Sequence, residues 1–190
     1  MSNFEFVFSL LVILLGLGLG HLLSGLASVV KRRPAILIGW GSGLLAAWVM
    51  AETVIFWRII WRARDALPDT SAALFAGFAI TGLYFFAGAM VFPDDLDGRT
   101  SLDDHFMQVK VKVIGAILAA VALSLTLRYL VIGEASWSIL TMFDWASLAM
   151  IYVLGPVAMH SKRRSIAIGC LAVLVALDVI EPIGSLAWAN

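Results

Sequence analysis

Cysteine occurs once in the 190 residues, at Cys170, so neither a disulfide framework nor a cysteine metal cluster can form. Charge is scarce: 13 basic and 13 acidic side chains cancel and make up 14% of the chain, against about 25% in a soluble domain. That balance offers no basic field to nucleic acid. Hydrophobic residues reach 62%, and mean hydropathy is +0.98. A soluble globule of this length still exposes about 30% of its surface, far too much for such a composition to keep in water. A soluble enzyme, a disordered tail and a nucleic-acid module are therefore excluded. What remains is an integral membrane protein whose first partner is the lipid bilayer.

A helix needs about 20 apolar residues to cross a hydrocarbon core of about 30 Å. Six stretches qualify, at about 6–30, 35–61, 70–92, 109–132, 138–159 and 165–188. The first holds no Asp, Glu, Lys or Arg and ends at Lys31-Arg32-Arg33-Pro34. With Glu5 before it, no basic leader region and no small-residue cleavage site, it reads as a retained span rather than a signal peptide. The second is interrupted by Glu52 and Arg58, the third closes at Pro93, and the fourth carries Lys110 and Lys112 at its start and Arg128 near its end. The sixth stops near Ile180 or continues past Pro182. The expected fold is one all-α domain of six transmembrane helices over residues 1–190.

Basic residues orient such a bundle. Lys31, Arg32, Arg33, Arg99, Lys110, Lys112, Lys162, Arg163 and Arg164 fall on one side, and Arg58, Arg62, Arg64 and Arg128 on the other. The larger set belongs in the cytoplasm, which puts both termini outside. Trp57, Trp61, Trp137 and Trp188 then mark the outer interface and Trp40 the inner one.

Small residues let membrane helices approach closely. Gly16, Gly20, Ser24 and Ser28 form one such row, and Gly39, Gly43, Ala47 and Ala51 another on the next span. The pair predicts a tight antiparallel hairpin of the first two helices; the alternative use of the first row is a homo-oligomer seam. Gly16-Leu17-Gly18-Leu19-Gly20 lacks the glycine spacing and preceding strand of a phosphate loop. Lys-Arg-Arg occurs twice without matching surroundings, so positive-inside bias explains it better than a repeat.

Charges within spans cost at least about 2.5–3.5 kcal/mol at the bilayer centre, so each needs a reason. At about 1.5 Å per residue, Glu52, Arg128, Asp144 and Asp178 come out about 21–28 Å from the inner face, on four helices. They form the first candidate site, read either as an outward-open pocket for a cation or proton, or as structural ion pairs and carboxylates reaching outer water. His21, Tyr84 and Tyr152 share a depth of about 15 Å and form the second candidate. Its readings are a midplane site for a proton or quinone-like headgroup, or an interhelical hydrogen bond. His105 and His160 fall too near the inner edge to pair with His21, which argues against haem. Trp40-Gly41-Ser42-Gly43 offers a serine with no visible base.

The polar stretch Pro93 to His105 half-matches a calcium loop, with Asp95, Asp97, Gly98, Ser101 and Asp104 in ligand-like places. Its last ligand would be Asp rather than Glu, and Pro93 would stand first. A solvated turn, with Thr100 or Ser101 capping the fourth helix and Asp103 and Asp104 at its N-terminus, accounts for it better.

The opening Phe4-Glu5-Phe6-Val7-Phe8-Ser9-Leu10-Leu11, the glycine-rich stretch through His21, and Phe92-Pro93-Asp94-Asp95 with Asp103-Asp104-His105-Phe106 resemble a group of uncharacterised bacterial inner-membrane proteins. The likeness covers about the first two-thirds of the chain. It implies a bacterial inner membrane and several spans, and carries over no catalytic residue, cofactor or metal. The sequence thus reads as a non-catalytic accessory or interaction protein. The alternative is a small-solute or proton-coupled transporter using the outer carboxylates. Inverted-repeat halves are not apparent in the chain.

Overall fold

A computed structural model describes the backbone of residues 3–31, 39–64, 70–93, 102–133 and 142–187, and their side chains except at 3–7, 132, 142–143 and 181–187. Among the described residues lie six helices: α1 (Asn3–Lys31), α2 (Trp40–Arg62), α3 (Ser71–Val91), α4 (Leu102–Ile132), α5 (Met142–His160) and α6 (Arg164–Ala187). Each predicted span falls on one of them. The chain is an all-α, multi-span membrane protein. Four helices, α1 to α4, are long and apolar enough to cross a bilayer by length and composition among the described residues.

Two helices extend beyond their longest apolar runs. α4 begins at Leu102, where the expected helix start lay and ahead of the apolar span from about 109, because Leu102 and Phe106 are fully buried and extend the apolar face of Val109 and Val113 through a polar stretch. Lys110 is therefore no interfacial anchor: it is buried and donates from Nζ to the carbonyls of Ala158 (2.9 Å) and Ser161, the bare end of α5. α6 runs past Pro182 to Ala187.

Contacts fix the direction of every helix. Leu11 meets Gly77, Gly18 meets Phe85 and Gly25 meets Phe92, so α1 and α3 run parallel. Gly39 and Gly41 meet Asp103 and Phe106, making α2 parallel to α4, while Gly155 packs on Leu118 and Gly115 lies nearest Met159, so α5 runs antiparallel to α4. Successive helices thus alternate in direction. One end of the bundle gathers the start of α1 and the end of α2, where Phe8 packs edge-on against Trp57 and beside Trp61 at 5.8 Å. The other end carries Lys31 and Lys162-Arg163-Arg164. There Arg164 pairs with Asp103, and Ser42 Oγ donates to the Leu102 carbonyl at 3.3 Å.

The expected α1–α2 hairpin is overturned. α1 packs chiefly on α3 and only sparsely on α2. Its buried row is Leu11, Leu15, Gly18, Leu22 and Val29, whereas Gly16, Gly20, Ser24 and Ser28 are exposed. The α3 face decides this: a Cβ on Gly88 would stand 3.0 Å from the Gly18 carbonyl oxygen, and one on Gly18 would stand 3.0 Å from Phe85 Cα. Backbones that close require glycine. In α2 the small residue at 39 serves α4 instead, since any side chain there would collide with Asp103.

Four hydroxyls in the helices satisfy themselves. Thr53, Thr81, Ser124 and Thr126 donate to carbonyls one turn earlier at 2.7–2.9 Å.

Candidate functional site

The buried stripe of α2 runs through Leu45, Trp48, Val49, Glu52 and Phe56. Its three-and-four spacing is the signature of a core-facing helix, and Glu52 occupies one position of it. The side chain is 2% exposed, and its Oε1 has no hydrogen-bond partner among the described residues. Trp48, one turn earlier, sets its indole N–H beside that carboxyl without reaching hydrogen-bond geometry.

Glu52 faces a half-open cleft of about 650 Å³, mouth included. α2 supplies Glu52, Ile55, Phe56 and Ile59; α3 supplies Tyr84; α4 supplies Val121, Ser124, Leu125 and Arg128; α5 supplies Asp144, Ser147, Leu148 and Ile151. The ring of Tyr84 stacks on Phe56 at 5.0 Å between centroids. Ile59, Arg128 and Asp144 stand close to the ends of their helices, whereas Glu52 and Tyr84 lie well inside theirs. The cleft therefore runs from the middle of the bundle toward the end that holds Trp57 and Trp61.

Asp178 stands behind the α5 wall. It is 3% exposed, and its Oδ1 accepts from Ser147 Oγ at 3.3 Å. Its carboxyl and that of Glu52 lie within electrostatic reach of each other and of the Tyr84 hydroxyl. Nearer the mouth, Arg58 and Asp144 approach to 3.6 Å, with Arg128 also in electrostatic reach of Asp144. The positive charge is thus gathered on Asp144, while two further carboxyls lie deeper.

The first candidate set is brought together: Glu52, Arg128 and Asp144 line one cleft, and Asp178 joins through Ser147. The second set is divided. Tyr84 is buried beside Glu52, Tyr152 reaches toward it from a largely exposed position on α5, and His21 sits on the exposed face of α1 away from the cleft lining. α1 turns the adjacent Leu22 inward against Gly88, which sends His21 outward. Arg58 and Ser147 were missed. A second arginine inside the α2 span was a usable signal for the first; a lone serine gave none for the second.

Of the half-matched calcium loop, Asp95, Asp97, Gly98 and Ser101 lie outside the described residues, as do Thr100, Trp137 and Trp188; Asp104 is exposed on the first turn of α4. No group of three or more His, Cys, Asp or Glu that could hold a metal ion occurs among the described residues. Comparison with protein families, curated proteins and solved structures returns no match.

Proposed function

We propose that this chain is a bacterial inner-membrane protein of six spans, with both termini outside, that takes up protons or a small solute through the acidic cleft and works as a proton-coupled transporter. The observation that carries this reading is Glu52: a buried carboxyl with an oxygen that has no hydrogen-bond partner among the described residues, at the floor of a cleft shared by four helices. Ionisable groups inside a span are expensive, and a mere structural role would favour an apolar replacement. The two ends of the bundle also differ in a way transport requires. The basic end is closed by Arg164 on Asp103, Ser42 on α4 and Lys110 on the end of α5. The cleft lies at the opposite end, which the excess of Lys and Arg at the closed end assigns to the outside. Such an arrangement corresponds to an outward-facing state.

The test is proton uptake into proteoliposomes under an imposed pH gradient, read with an internal pH dye. Wild type should acidify the lumen faster than empty vesicles, and Glu52→Gln and Asp178→Asn should abolish the difference. Uptake unchanged by either variant would reject the reading.

A second reading, an accessory protein that associates through α1, is favoured by one observation. Gly16, Gly20, Ser24 and Ser28 are all exposed, and nothing among the described residues lies within 4 Å of a Cβ on Gly16 or Gly20. Gly16→Leu with Gly20→Leu should convert a dimer to a monomer by light scattering in detergent; a monomeric wild type would dismiss it.

A further inference from the structure

We propose that the cleft's ligand is an organic ammonium with an apolar body, its cationic head on Glu52 and its body along the isoleucine and leucine walls. This rests on the cleft being a solute site and specifies the chemistry that site selects.

Three features of the cleft point to that class. Its walls are mostly aliphatic, formed by Ile55, Ile59, Val121, Leu125, Leu148 and Ile151. Such walls bury an apolar body and reject a strongly hydrated metal ion, which asks for six or more oxygens at close range. The floor is acidic: Glu52 lines the cleft, and Asp178 adds negative potential through the Ser147 side. Arg58 and Arg128 stand beside Asp144 nearer the mouth, which leaves the carboxyls of Glu52 and Asp178 to set the charge of the inner end. Finally, the stacked Phe56 and Tyr84 rings line the cleft beside Glu52. Aromatic faces attract alkylated ammonium groups, and the attraction strengthens when the site is dry. A carboxyl and aromatic carbon in the lining of one cleft suit a charge that carries carbon.

The experiment is titration calorimetry on the full-length protein in detergent with benzyltrimethylammonium, and with phenylacetate as an anion of similar body. Wild type should bind the cation saturably and phenylacetate not at all. Glu52→Gln should weaken the cation by at least about tenfold. Ile59→Trp, which narrows the cleft and keeps both carboxyls, should weaken it comparably and covers the case in which Glu52→Gln misfolds. Absence of saturable binding to wild type, equal affinity in folded Glu52→Gln, or preference for phenylacetate would overturn the proposal. If the ammonium fails to bind while proton uptake still depends on Glu52, the ligand class is wrong and the proton site stands. If both fail, the cleft is no solute site.

Discussion

Replacing Glu52 with methionine should make the protein more stable while removing its activity. The side chain is 2% exposed and has an oxygen with no hydrogen-bond partner among the described residues. A polar atom left in that condition costs about 1–3 kcal/mol, and the nearby Asp178 carboxyl adds repulsion whenever both groups are ionised. Methionine keeps nearly the same length and volume and suits the neighbouring Phe56, Tyr84 and Ile55. Exchanges of buried ionic groups for apolar ones are commonly neutral or stabilising by about 1–4 kcal/mol. The denatured chain in a micelle shelters the carboxyl partly, so about 1–2 kcal/mol is the expected gain. The assay is SDS titration in mixed micelles followed by circular dichroism. A loss greater than about 1 kcal/mol would show that Glu52 holds the fold together, and the functional reasoning would fail.

Other changes test the packing and the sidedness. Gly18→Ala and Gly88→Ala each place a Cβ 3.0 Å from backbone across the α1–α3 contact and should cost about 1–3 kcal/mol in the same titration. Gly16→Ala and Gly20→Ala meet nothing within 4 Å and should be neutral or better; equal losses at all four would mean α1 packs by another face. Lys110→Met strands the carbonyls of Ala158 and Ser161 and should lower stability by about 1–3 kcal/mol, with Lys110→Arg milder; no change would show that the α5 end is satisfied without it. In a Cys170→Ala background, Ser71→Cys should react with an impermeant maleimide in right-side-out vesicles, and Ser161→Cys only after permeabilisation. The reverse pattern would invert the topology.

Much of the bundle was legible because bilayer thickness leaves a chain few choices. Long apolar runs, most of them broken by only a few charges, located the six helices, and the basic clusters marked one end. The start of α4 was readable from its caps, but the burial of Lys110 was not, because a lysine looks solvent-facing while Leu102 and Phe106 set the helix phase around it. Helix neighbours were harder. Two small-residue rows on consecutive spans suggested a hairpin, but the row that is used, through Gly18, finds its complement at Gly88, 70 residues away. Local spacing shows which helices can approach closely and leaves the partner undetermined. The first candidate site was readable because four charges shared a depth. Tyr84 was assigned to a separate site, since depth alone does not say which way a helix is turned.

Cysteine in place of Glu52, in the Cys170→Ala background, tests the central claim most directly. Right-side-out vesicles would be treated with two impermeant thiosulfonates of similar size, one carrying trimethylammonium and one sulfonate. An outward cleft with an acidic floor predicts that the cationic reagent modifies Glu52→Cys at least about tenfold faster than the anionic one, with Asp178 still present to attract it. A thiol inert to both reagents, or one modified faster by the sulfonate, would contradict the account.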